Sequence, residues 1–181
     1  VVTVDDLSTG KQQHLNATSD FRQADIRTDQ LLLAFEEFKP EVVFHVAAHA
    51  SVSESVRDPW HDADINILGT INVAHACALH GVRRLGFSST GGALYGEPEY
   101  LPADETHPIR PLSPYGASKA AAEAFISSMS RLAGVRYSVL RYGNVYGPRQ
   151  DPFGEAGGVA IFTHALLAGE APTIFGDRLQ E

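Results

Sequence analysis

The run at residues 41–48, EVVFHVAA, limits the possible folds more than any other stretch of this chain. A strand with one wet face alternates apolar and polar residues. This run does not, so it reads as a strand covered by helices on both sides, as strands of parallel sheets usually are. Further strand-like runs at 1–4, 21–24, 82–88 and 135–142 fall between stretches with helical spacing. The helix expected over 29–38 puts Leu32, Phe35 and Phe38 on one face and ends at Lys39-Pro40. Pro59 suits the first turn of a helix over 58–80 and Gly81 its end, while Pro114 and Gly134 bracket an Ala-rich helix over 114–133. Residues 90–111, with their glycines and prolines, read as a loop; a short helix near 159–168 and a strand starting at Thr173 follow. Strand and helix alternate throughout, the pattern of an α/β domain with a parallel sheet.

Composition narrows the function classes. With 181 residues, 44% of them hydrophobic, and nine Phe, six Tyr and one Trp, the chain can build a sizeable core, which excludes disorder. The 14 Lys+Arg against 22 Asp+Glu give a net charge of −8 with no basic run, which argues against a nucleic-acid partner. No apolar stretch approaches the ~20 residues that cross a bilayer, so no membrane role is expected. Cys77 is the only cysteine and no signal-like segment opens the chain, so a reducing cytoplasm is the expected compartment. Val1 to Val4 read as the middle of a buried strand and the sole Met is Met129, so the sequence is expected to be a fragment cut at both ends.

The local pattern richest in chemistry is Tyr115-Gly-Ala-Ser-Lys119. Tyr and Lys four apart at a helix start share a face, and an ammonium beside a phenol favours the phenolate, so the pair can act as a general base. A surface Tyr over a Lys is the plain alternative, and the motif alone does not decide. Ser88, Ser89 and Thr90 end a strand, where the carboxyl ends of a parallel sheet open onto a ligand crevice; a simple Ser/Thr turn fits equally well. Asp5 ends another strand, where a carboxylate can hold a ribose diol; without a nucleotide it reads as an ordinary loop acid. His45 and His49 lie on a strand running into a loop, where a spacing of four does not converge, so no metal is expected. Cys77 reads as core.

Taken in order, VDDLSTG, ADI, FHVAAHASV, NILGT, FSSTGGALYGE, SPYGASK and LRYGNVYGPRQDP resemble the extended short-chain dehydrogenase/reductase family, and within it the nucleotide-sugar 4-epimerases. The resemblance covers essentially the whole chain. It implies a doubly wound Rossmann-type domain over 1–150 and the start of a substrate region over 151–181, with the first strand and its GxxGxxG loop expected before Val1. It implies NAD as cofactor and a nucleotide-diphosphate sugar, UDP-glucose or UDP-galactose, as substrate, epimerised at C4 through a 4-keto sugar. Tyr115 would be the base, Lys119 would lower its pKa and hold the nicotinamide ribose, and Thr90 would bond the sugar hydroxyl. Asp5 would hold the adenosine ribose among Asp6, Ser8 and Gly10, and Asp25 and Ile26 would meet the adenine. Ala47, Ala48 and His49 would pass beside the cofactor, with Ser88 and Ser89 along the same strand end. Asn66 would support the packing beneath the site, Tyr142 would approach the nicotinamide and Asn144 would meet the substrate phosphates. A homodimer paired through the helices starting near Asp58 and Pro114 is expected of the full-length protein. The alternatives are a 4,6-dehydratase or decarboxylase on the same scaffold, or a non-catalytic NAD-binding regulator. Residues 1–181 alone are expected neither to bind NAD tightly nor to catalyse.

Overall fold

A computed structural model describes residues 1–154 and 157–174. Five strands, β1 (Val2–Asp5), β2 (Asp20–Gln23), β3 (Val42–His45), β4 (Arg84–Thr90) and β5 (Arg136–Tyr142), all pair in parallel. They form two sheets, β1 beside β2 and β3-β4-β5 in sequence order, with Val42 opposite Arg84 and Arg84 opposite Arg136. Parallel neighbours need a crossover; between β1 and β2 it holds only a 3-10 turn (Gln12–His14), and helices supply the later connections. Helix α1 (Gln30–Phe38) joins β2 to β3; α2 (Val52–Arg57), α3 (Pro59–Ala63), a π-helical turn (Asp64–Gly69) and α4 (Thr70–Leu79) join β3 to β4; α5 (Gly92–Tyr95) and α6 (Pro114–Ala133) join β4 to β5. The parallel α/β, Rossmann-type expectation holds.

The core lies between the β3-β4-β5 sheet and the helices α4 and α6. Leu85 and Phe87 of β4 pack with Val73, Ala76 and Cys77 of α4 and with Ala122 and Ile126 of α6, and burying each large side chain is worth about 1.5–3 kcal/mol. Cys77 belongs to this core, and burial pushes its thiol up to about 12, so it is unreactive. Helix α6 is well delimited. Ser113 accepts a hydrogen bond from the Gly116 amide, Pro114 occupies the first turn, and Gly134 closes the helix at φ +71°.

Three expectations need correction. The run 41–48 is a strand only over β3, and among the described residues it is covered on one face: His45 is buried, whereas Val42 is exposed and Phe44 is 74% exposed. Side chains alternate along a strand, and α4 and α6 pack against the face carrying Leu85 and Phe87, so the apolar residues pointing the other way stay open. The single helix expected over 58–80 is three segments, with α3 capped by the Asp58 carboxylate and the middle widened into the π-helical turn. A preceding helix, α2, was hidden in 51–57 although its capping signal, Ser51-x-x-Glu54, is in the sequence: the Ser51 hydroxyl accepts from the Glu54 amide. Finally, the loop over 90–111 contains α5.

The contacts divide the chain into a compact unit, Val1–Gly143, and a second beginning at Asn144. The second contains α7 (Gly158–Leu167), close to the expected 159–168. Thr173 and Ile174 are irregular, and the rest of the strand expected from Thr173 lies outside the described residues.

Candidate active site

The carboxyl end of β4 and the start of α6 meet because two backbones approach closely. A Cβ on Gly116 would stand 2.3 Å from the Ala93 carbonyl oxygen, so only glycine lets the first turn of α6 pack on α5. The Gly91 amide donates to the Tyr142 carbonyl at 2.7 Å, which extends the β4–β5 pairing into the loop. Tyr115, half-buried, is anchored through its amide to the Ser55 hydroxyl at 3.1 Å. Lys119 follows one turn later and is only 3% exposed, its Nζ 4.5 Å from the centre of the Phe87 ring. Thr90 is half-buried at the end of β4, and its hydroxyl accepts from the Ala93 amide at 3.3 Å.

Burial pushes the Lys119 ammonium down to about 8, although Asp62 and Glu123 act in the opposite sense. His45, bonded to the Thr70 hydroxyl at 2.8 Å, is pushed down to about 3 by burial and then by the Lys119 charge, and is therefore neutral. The Tyr115 phenol is raised, first by burial and then by the Asp62 anion.

The strand-end hydroxyls divide between two faces. Thr90 and Ser88 share one, while Ser89 points to the other and donates to Glu123 Oε1 at 2.5 Å, in a buried cluster where Arg141 binds Glu123 at 2.7 Å. Ser89 is thereby withdrawn from the face of Thr90. Tyr142 pairs with Thr90 across β4–β5 and is exposed. Ala47 and Ala48 follow β3 directly, one exposed and one half-buried. His49 lies between two acids, Glu54 at 3.1 Å and Asp62 at 3.3 Å. Burial opposes its charged form, but these hydrogen bonds outweigh that and hold His49 above its ordinary pKa. Asn66, 2% exposed, accepts from the His49 amide and donates to the His49 carbonyl, Asp62 and the Ser118 hydroxyl. It braces the loop against α6, and its own groups are fully engaged by protein.

The acids near the nucleotide end are held locally. Asp5 accepts from the Leu7 amide at 2.7 Å, and a Cβ on Gly10 would come within 2.7 Å of the same carboxylate, so glycine keeps that oxygen clear. Asp6 is tied to the amide and hydroxyl of Ser8, both exposed. Asp25 is bound by Arg27, which lowers its pKa and also reaches Asp64 at 2.6 Å. Ile26 has its side chain in the core and its carbonyl bonded by Asn72. Asn144 is exposed and belongs to the second unit.

An open groove of about 1120 Å³ in the first unit borders this strand end: Gly91, Gly92, Glu123, Arg141 and Tyr142 are among its lining, whereas Thr90, Tyr115 and Lys119 are not. Among the described residues no group of three or more His, Cys, Asp or Glu is placed to hold a metal, and no helix is long and apolar enough to cross a membrane. Sequence reasoning missed Ser55, Asp62, Ser118 and Glu123. Only Asp62 carried a signal, its spacing of four before Asn66 on a helix.

The chain is similar to known proteins over nearly its whole length. The UDP-glucose 4-epimerase of Mycolicibacterium smegmatis is 47% identical over 182 residues, 98% of this chain and 58% of that protein. The crystal structure of a Thermotoga maritima UDP-glucose 4-epimerase with UDP-glucose superposes with a TM-score of 0.93 at 47% identity, over 97% of this chain and 58% of that one. A Thermus thermophilus UDP-glucose 4-epimerase in complex with NAD gives 0.89 at 49% identity, over 95% of this chain and 56% of that one. The chain therefore spans somewhat more than half the length of these proteins. The model of the NAD dependent epimerase/dehydratase family matches residues 1–181, and the chain belongs to that family.

Proposed function

We propose that the protein carrying this chain is an NAD-dependent nucleotide-sugar 4-epimerase that interconverts UDP-glucose and UDP-galactose in the cytoplasm. The observation that carries the reading is the Tyr115–Lys119 pair, one helical turn apart at the start of α6, with Lys119 buried and Tyr115 half-buried. A lysine costs stability when buried, by about 3 kcal/mol for a displacement of this size, so its position calls for a use.

Tyr115 Oη takes the proton from the sugar 4-hydroxyl and returns it when the opposite configuration forms. Thr90 holds that hydroxyl, and Lys119 binds the nicotinamide ribose and stabilises the phenolate. Asp5 receives the adenosine ribose; the carboxylate left clear by Gly10 fits a diol. NAD, when bound, supplies the hydride acceptor and donor at C4 and, in its oxidised form, a positive ring whose charge favours the phenolate that burial and Asp62 oppose. Asp6, Ser8, Asp25, Ala47, Ala48, Ser88 and Tyr142 border the cofactor. The exposed Trp60, Leu79, Phe125 and Leu132 on α3, α4 and α6 support pairing of two copies through these helices.

A 4,6-dehydratase would also need an acid and a base for the C5 proton and the leaving C6 hydroxyl. Thr90 is followed by Gly91, Gly92 and Ala93, which carry no proton-transfer group, and this favours epimerisation. Incubating the whole protein with UDP-galactose and following the products by chromatography that separates the two epimers, coupled to mass detection, tests the choice. UDP-glucose of unchanged mass is expected; a 4-keto-6-deoxy sugar, lighter by one water, would reverse it.

A further inference from the structure

Asp62 is 1% exposed. Its Oδ1 accepts from Asn66 at 3.0 Å and faces His49 Nδ1 at 3.3 Å, while Oδ2 is buried with no hydrogen-bond partner among the described residues. A carboxylate held this way is expensive unless a positive charge balances it. The connection leads to α6: Asn66 also donates to the Ser118 hydroxyl at 3.3 Å, and Ser118 donates to the Tyr115 carbonyl at 2.9 Å. Asp62 is thus linked to the turn that carries both Tyr115 and Lys119.

The charges around this turn come from several elements. Two acids act on Lys119, Asp62 from α3 and Glu123 from α6. Glu123 is already paired with Arg141 of β5 at 2.7 Å and accepts from Ser89. His45 of β3 is neutral; His49, held above its ordinary pKa, contacts Asp62 Oδ1 at 3.3 Å and the largely exposed Glu54 of α2 at 3.1 Å, so Asp62 serves His49 as well as Lys119. Asp62 is the acid acting on Lys119 that has no Arg bound to it in the ion pairs described.

We propose that Asp62 is a positioning residue, the buried counter-charge that keeps Lys119 an ammonium and, through Asn66 and Ser118, fixes the turn presenting Tyr115. Its kinetic consequence rests on the epimerase reading above; its charge balance does not. Replacing Asp62 with Asn keeps an acceptor for Asn66 and removes only the charge.

The test is the titration of Lys119 in the whole protein, followed by the NMR of 13Cε-labelled lysine and assigned by the signal that disappears in Lys119→Met. The wild type is expected to titrate near 8. In Asp62→Asn the midpoint should fall by about one unit, and the alkaline limb of the epimerase kcat profile should move with it. A midpoint unchanged within a few tenths of a unit would overturn the proposal, because a merely structural Asp62 leaves it in place. A midpoint that falls in a protein with no epimerase activity would count against the epimerase reading and leave the counter-charge standing. Should Asp62→Asn not fold, Asp62→Asn/Lys119→Met is expected to fold again, since no ammonium then needs balancing. Failure of the double variant as well would overturn the proposal.

Discussion

The candidate site has two ends, and they hold their acids in different ways. At the end of β1, Asp5 and Asp6 are bonded by amides two residues ahead in their own loop, and the loop stays close to water. Beneath Tyr115 and Lys119, Asp62 and Glu123 are buried, and their partners come from other elements: Asn66, His49, Ser89 and Arg141. The first end can present a carboxylate to a ligand with little electrostatic consequence for the protein. The second sets the charge of its neighbours, because a low-dielectric surround strengthens every interaction there.

If the buried end does the chemistry, Tyr115→Phe should lower kcat by about 10²–10⁴-fold while leaving the melting temperature nearly unchanged. Steady-state rates and thermal melts on the whole protein check both halves. A variant with wild-type kcat would remove Tyr115 from the mechanism.

Next in size is the close approach that joins α5 to α6. Gly116→Ala should destabilise by about 1–3 kcal/mol and impair turnover, because its Cβ would collide with the Ala93 carbonyl. Gly92→Ala, with nothing within 4 Å of the added Cβ, should change stability by less than about 0.5 kcal/mol. Equal effects in urea unfolding would mean the approach is not required.

Acid should weaken the buried end. His45 is held neutral down to about 3, whereas in the unfolded chain it takes up a proton near 6.5. Below that pH the unfolded state binds more protons than the folded one, so stability falls by up to about 1.4 kcal/mol per pH unit. Unfolding midpoints at pH 7, 6 and 5 should show this slope, and His45→Gln, which can still bond Thr70, should flatten it. An equal slope in both proteins would point to other groups.

The smallest effect belongs to the exposed end. Asp5 bonds a ribose diol and repels a 2′-phosphate, so NAD should bind more tightly than NADP, and Asp5→Asn should narrow that ratio by about tenfold. Binding titrations with each cofactor measure it, and equal affinities in the wild type would remove Asp5 from the nucleotide site.

The difference between the two ends also decided what the sequence could tell. Local features were legible: Pro114 and Gly134 bound α6, the Tyr115–Lys119 spacing held on that helix, and Asp5 ended its strand. Partners distant in the chain were not. Nothing near Ser89 announces that it turns away to Glu123, since alternation along β4 matters only once α6 lies on one face. Asp62 showed only its spacing of four before Asn66, because its burial depends on packing between α3 and α6. The burial of Tyr115 and the Asp62 anion near it, which raise its phenol, were likewise invisible in the spacing of Tyr115 and Lys119. Helix α2 is different; its Ser51–Glu54 cap was readable and was overlooked.

The central claim is that the proton at the sugar oxygen passes through Tyr115 while the hydrogen on C4 never enters water. UDP-galactose deuterated at C4, incubated with the whole protein in ordinary water, measures this directly by NMR of the product. The account predicts UDP-glucose that retains its deuterium at C4. Deuterium replaced by solvent hydrogen at that carbon would contradict it, because C4 would then have been deprotonated and the buried pair would be doing different chemistry.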